Sequence, residues 1–359
     1  MHESGLLDEN TIMSHSAKAQ LAGSNSNMMR QPKLILSLVF MCSIMGLLLI
    51  VSCQKPSDDL VIEPISFDEH DRFNRILPID EQQLYIVGGQ RWQRGFIYRS
   101  NDGGQTWSPI NTVNDTSDFF LTDLARLGEQ EWMAVGYGGQ IIYTDDDWET
   151  ISFVRHHSWE QLECIHRLND QSFIIAGGGD HNEGFALANN NREWWHLESY
   201  TWPMSVRALR QRQNGDILSI GYASVYISDD QLQHHRPLPL MGDIYTDAAF
   251  TDNGQIGYIC GFNGSITSID IESETINELV SRAGLRSTVM MWNTIDFFDE
   301  FTGIVCGHDG HIWWTSDAGK TWDQYQIPGK PTIQTAVLRS TQEAIIAGDN
   351  GFIAKIRRP

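Results

Sequence analysis

Seven glycines, each closing a short apolar run, punctuate the chain at nearly constant intervals. Gly88, Gly136, Gly177, Gly221, Gly261, Gly307 and Gly348 lie 48, 41, 44, 40, 46 and 41 residues apart. Around each, the unit reads as an apolar strand, a turn, a strand ending in Gly, a short Gly-rich turn, a strand, and then an acidic turn before a last strand. IVGGQRWQRGFIYRSNDGGQTWSPI (86–110) and IVCGHDGHIWWTSDAGKTWDQYQI (304–327) show it most fully. Self-similarity at this period, with four short strands per unit, predicts stacked blades around an axis. The strands alternate with period two, and no later stretch carries a helical period. The expected fold is all-β: a seven-bladed β-propeller with four-stranded blades, in one domain spanning 61–359. Only about two strands remain after Gly348. Residues 60–66 (LVIEPIS) are therefore expected to supply the missing outer strand, closing the ring and removing an exposed edge.

Residues 34–51 form an unbroken apolar run behind Arg30 and Lys33, ending Ile50-Val51-Ser52-Cys53. A basic start, an apolar middle and a small residue at the cleavage point describe a secretory signal. The ending is similar to the bacterial lipobox, which implies lipidation of Cys53. The expected organisation is a leader over 1–53 and a polar tether over 54–60. Met28 or Met29 is a better start for such a leader, so residues 1–27 are expected to be disordered or untranslated. Gln54 stands where an aspartate would resemble an inner-membrane retention signal, so the expected place is the outer membrane, periplasmic or surface-facing.

The net charge of −21 argues against nucleic acid, which needs Lys/Arg-rich faces. Removing 1–53 takes away three basic and three acidic residues and leaves that charge unchanged. Five cysteines are too few for a disulfide framework. Cys164, Cys260 and Cys306 are read as small buried apolar residues. No cofactor is expected. No metal is expected either: the adjacent His156 and His157 point apart on extended backbone, and Asp145-Asp146-Asp147 lacks the pattern of a calcium loop.

The acidic turns Ser100-Asn101-Asp102-Gly103-Gly104-Gln105-Thr106-Trp107 and Thr315-Ser316-Asp317-Ala318-Gly319-Lys320-Thr321-Trp322 resemble the Asp-box of bacterial neuraminidase repeats. The roles are structural: Asp102 and Asp317 bond turn amides, Gly104 and Gly319 allow positive φ, and Trp107 and Trp322 pack between blades. Thr144-Asp145-Asp146-Asp147-Trp148 reads as a shortened copy. Over the whole region after the leader, the repeat resembles the photosystem II stability/assembly factor family. That resemblance implies a seven-bladed propeller that binds folding intermediates and catalyses nothing. The exposed arginine patch of that family has no obvious counterpart in so acidic a chain.

Aligning the innermost strands gives a channel ring of Arg75, Asp123, Cys164, Arg207, Asp247, Thr294 and Thr335. Arg91, Trp92, His156, His157, Trp159, His181, Trp202, Trp292 and His308 fall in the loops of one face, where Trp and Arg make binding hot spots. The expected function is a lipid-anchored, non-enzymatic platform, monomeric, binding an envelope protein through that face. The alternative is a glycan binder or sialidase-like glycoside hydrolase at the channel mouth. Phe73-Asn74-Arg75-Ile76-Leu77-Pro78 resembles the sialidase entry motif imperfectly, and Arg75 and Arg207 would be two members of a carboxylate clamp. A third arginine and a Tyr–Glu pair are not evident at matching positions, and the uniformly short repeats favour the binding platform.

Overall fold

The computed structural model describes residues 60–67, 70–156, 160–169, 172–178, 184–189, 198–202, 204–212, 214–229, 234–240, 243–251, 254–281 and 290–358. The chain divides into two units, Met1–Cys53 and Gln54–Pro359, and all the described residues belong to the second. Its strands form seven separate four-stranded sheets, all antiparallel; six of them keep their strands in chain order. The seventh sheet joins Val61–Pro64 to the last three strands, with Val61 opposite Arg357 and Pro64 opposite Ala354. The ring is closed by the N-terminal strand, as expected from residues 60–66.

Seven hydrophobic cores hold the ring, one for each pair of neighbouring blades. The closing seam packs Phe73, Ile76, Ile86 and Phe96 of the first blade against Val337, Ile345, Ala347 and Ile353 of the seventh. A single sheet has two apolar faces and cannot bury either alone, so every blade depends on both neighbours. Cys164, Cys260 and Cys306 are free and buried in these seams. Burial pushes all three thiols up from the usual range, so they act as apolar filling.

Six of the seven marker glycines share a steric reason, and at the seventh, Gly261, the Asp243 carboxylate takes the same space. A Cβ on Gly221 would sit 1.9 Å from the Ser205 carbonyl oxygen, on Gly307 1.8 Å from that of Met291, and on Gly348 1.9 Å from that of Thr332. In each case the carbonyl just before the innermost strand occupies the space a side chain would need. Beside this contact, every innermost strand carries a bulge, between Phe73 and Arg75, Leu121 and Asp123, Leu162 and Cys164, Val206 and Ala208, Tyr245 and Asp247, Trp292 and Thr294, and Ile333 and Thr335. Such a bulge adds one residue opposite the glycine and re-aims the side chains that follow.

The acidic turns are held by their own side chains. Ser100 Oγ donates to Asp102 Oδ1 (2.8 Å); Asp102 accepts the Gln105 and Thr106 amides (both 2.9 Å) and the Thr106 hydroxyl (2.6 Å). Thr315, Asp317 and Thr321 repeat the pattern, with hydroxyl donations to Asp317 of 2.9 and 2.7 Å. Gly104 takes φ 86° and Gly319 φ 77°, and both pack on the preceding blade through Ile345 and Leu279. The Trp107 indole donates to the Gly104 carbonyl (3.2 Å), and Trp322 is buried in the seam of the fifth and sixth blades. The turn at 144–151 is not shortened. Thr144, Asp146 and Thr150 make the same bonds, Trp148 stands at φ 75° in the place of Gly104, and Ile151 stands in the place of Trp107. Trp148 accepts that backbone conformation because its ring is buried in the seam between the first two blades, beside Trp132.

Candidate functional site

The axis of the ring opens at one end into a polar cavity of about 780 Å³, lined among others by Arg72, Arg75, Arg91, Arg207 and Arg210 and by Asp71, Asp123, Glu163, Asp247 and Asp349. This end, the mouth, is where the innermost strands begin. The bulged residues line it and tie most blades to the next. Asn74 Nδ2 donates to the Leu121 carbonyl (2.6 Å), Thr122 Oγ1 to that of Leu162 (2.5 Å), Thr246 Oγ1 to that of Trp292 (3.0 Å) and Asn293 Nδ2 to that of Ile333 (2.8 Å). Between the third and fourth blades the same position carries an ion pair, Arg207 Nη1 to Glu163 Oε1 at 3.1 Å.

That pair corrects the alignment of the channel ring. Arg207 is the bulged residue of its strand, equivalent to Asn74 and Glu163, and Ala208 takes the position of Arg75 and Asp123. Only the bulge decides this register, since Val-Arg-Ala reads equally well one step later. Below the bulge, Arg75 lies between two carboxylates, 3.8 Å from Asp123 and 3.8 Å from Asp247. Burial opposes its charge, but Asp247, Asp123 and Asp296 outweigh that and raise its pKa. Asp123 accepts the Ile165 amide of the next blade (3.1 Å), and Asp247 accepts the Thr294 hydroxyl (3.0 Å) and the Ile295 amide (3.3 Å). Arg210 also reaches Asp247 and donates through Nε to the Ala248 carbonyl (2.7 Å). Asp296 accepts the Leu338 amide (2.8 Å); burial drives its pKa up to about 6, with help from Asp247 and against Leu338, Arg75 and Arg210. Arg75 and Arg207, expected as possible clamp members, thus each face carboxylates of this chain.

Around the mouth, Trp92 is 63% exposed and stands edge-on to Tyr137 and Phe119, with ring centroids at 4.4 and 5.8 Å. The Arg91 guanidinium lies over Tyr137 at 4.6 Å and that of Arg155 over Phe119 at 4.5 Å, so cation–π contacts hold both arginines at the rim. His156 stacks on Phe185, and His308 meets Phe262 edge-on. Trp292, expected in this face, is instead fully buried: it opens an innermost strand, packs on Trp313, and donates to the Gly264 carbonyl (3.2 Å). Its place directly before the bulge turns the ring into the seam. His157, Trp159 and His181 lie outside the described residues, as does the side chain of Trp202 at the end of its outer strand. Cys53 lies outside them too.

Sequence reasoning missed Arg72 and Arg210. Arg72 donates to Gln334 (3.0 Å) across the closing seam and lies 3.8 Å from Asp349. Five arginines from the first and fourth blades therefore gather at the mouth of a chain whose net charge hides them. The signal available was position: each lies within a few residues of an innermost-strand start or of a Gly-rich turn. Among the described residues no group of three metal-ligating side chains is assembled.

Neither a protein-family model nor a curated protein sequence matches the chain. Solved structures do. YCF48 bound to D1 peptide superposes with a TM-score of 0.65 at 18% identity, over 85% of this chain and 98% of that one. YCF48 from Cyanidioschyzon merolae gives 0.63 at 12% identity, over 83% and 99%. At such identities the likeness is one of fold, and it establishes this chain as a seven-bladed propeller of the architecture YCF48 has.

Proposed function

We propose that this chain is a non-enzymatic protein-binding platform, anchored to a bacterial envelope through lipid on Cys53, which holds an extended segment of an envelope protein at the channel mouth. The observation that carries the reading is the rim itself. An exposed tryptophan is seated on Tyr137 and Phe119 beside Arg91, above a cavity lined by five arginines. Aromatic and arginine anchors of fixed geometry are what hot spots are made of, because little side-chain entropy is lost on binding. One neighbour of the same architecture holds the D1 peptide, which supports a peptide-like occupant here. The acidic turns act as structural Asp-boxes, their carboxylates being engaged by their own turn amides and hydroxyls. Gln54 after the lipidated cysteine suits the outer membrane, and the platform works as a monomer.

Cross-linking the lipidated protein in its native host, followed by capture from membranes, tests this. A stoichiometric envelope protein is expected, lost when Trp92→Ala and Arg91→Ala are combined. No protein partner in the capture would shift the reading to carbohydrate, and a glycan screen would decide it. Labelled palmitate is expected on the wild type and absent from Cys53→Ser.

A further inference from the structure

At the end opposite the mouth, five blades build the same corner among the described residues. An amide of the turn after the third strand donates to a carbonyl in the turn after the first: Gly103 to Gln82, Asp147 to Gln130, Ile271 to Gln255, Ala318 to Phe301 and Arg358 to Gln342, at 2.8–3.0 Å. Only backbone atoms take part, so this bond does not fix the side chain at the accepting position. Four of the five blades place glutamine there. The sixth blade places Phe301, 58% exposed. Three residues earlier, Phe298 donates its amide to the Thr302 carbonyl (3.0 Å), as Ile79 does to Gln83 and Leu127 to Glu131. Ile79 and Leu127 turn into the seams, whereas Phe298 is 42% exposed.

The two phenylalanines stand on a turn that is held in place. Asp299 Oδ1 accepts the Phe301 and Thr302 amides (2.8 and 2.6 Å). Below it, Phe297 stacks on Tyr258 of the fifth blade, whose hydroxyl donates to the Ala318 carbonyl (3.2 Å). Each ring leaves roughly half of its surface in water and would gain on covering it. Asp299 and Glu300 separate the two phenylalanines in the chain, and the turn that bonds this corner through Ala318 carries Asp317 and Lys320.

We propose that the Phe298–Phe301 corner of the sixth blade is a second docking site, for a protein segment that carries an apolar anchor flanked by Lys or Arg. The apolar pair fits the anchor, and the excess of carboxylates selects the flanking charge. The site is at the far end of the ring from the mouth, so one chain can hold two partners at once.

The test titrates a labelled amphipathic Leu/Lys peptide, and a Leu/Glu peptide of equal length, into the full chain and into Phe298→Ser/Phe301→Gln and Trp92→Ala variants. The double change gives this corner the glutamine of the other blades and leaves every charge in place. Leu/Lys binding is expected to weaken about tenfold or more in the double variant and to be unchanged in Trp92→Ala, with Leu/Glu not binding. Equal Leu/Lys binding by the double variant overturns the proposal, as does Leu/Glu binding as tight as Leu/Lys. Two further results also overturn it: self-association of the wild type abolished in the double variant with no change in peptide binding, which makes the occupant a second copy, or adsorption to anionic vesicles lost with the same change, which makes it a bilayer. A matching thermal melt of the double variant excludes unfolding as the cause of any loss.

Discussion

At the mouth of the ring, carboxylates are buried against guanidiniums; at the opposite end, they are exposed and bound to turn amides. Asp296 and Asp102 show the contrast in one residue type. Asp296 is enclosed in the channel with one amide donor and a like charge nearby, and its pKa rises to about 6. Asp102 is open to solvent and accepts from two amides and two hydroxyls, and Thr106 foremost lowers its pKa to about 2. At Asp296 desolvation thus outweighs partial pairing, while at Asp102 several short donors outweigh it. The interior end is therefore a polar cavity whose charges are costly to bury, and the turn end is self-satisfied wherever no phenylalanine intrudes.

The largest test of this division concerns Trp292. As a seam residue, its change to alanine should lower unfolding free energy by about 3–5 kcal/mol in a urea titration. A loss below about 1 kcal/mol would return it to the face where its sequence position suggested it lay. Next comes Asp296. An aspartate ionises near about 3.9 in an unfolded chain, so the native state binds more protons between about pH 4 and 6. Stability should therefore fall as pH rises through that window and stay reduced above it. Asn can still accept the Leu338 amide, so Asp296→Asn should be more stable than wild type by about 1–2 kcal/mol at pH 8 and similar to it at pH 4. An unchanged pH profile would show that the channel keeps this carboxylate hydrated. Asp102 has the opposite sign. Its contribution is full above about pH 4 and is lost as pH falls toward 2, so Asp102→Asn should flatten that acid limb of a melting-temperature profile. The smallest effect on stability belongs to Trp92→Ala, within about 0.5 kcal/mol, although combined with Arg91→Ala it should remove partner capture. A larger loss would mean that the rim cluster is structural.

Much of the ring was legible because its constraint is local and repeated. Six of the seven marker glycines recur because a carbonyl sits where their Cβ would be, and Leu60-Val61-Ile62 could be matched to a vacant edge by counting strands. The acidic turns were legible for the same reason, since every bond of Asp102 and Asp317 falls within four residues. What escaped lay one residue off a local pattern. The bulge moved Arg207 out of the ring position that Ala208 fills, and Trp148 took a glycine's backbone conformation because a seam was ready to bury it.

By itself, then, the sequence determined the number of blades, their strand count and the closure of the ring, since periodicity and strand pairing need only short-range information. The tertiary structure alone decided which tryptophans face solvent, where the arginines converge and which carboxylates lose their water. Trp92 and Trp292 were both expected on the same face, yet one is seated on the rim and the other fills a seam. Arg72, Arg75, Arg91, Arg207 and Arg210 are separated by up to 138 residues in the chain and share one cavity. Burial and field strength depend on what neighbouring blades bring to the same point, and no single repeat contains that information.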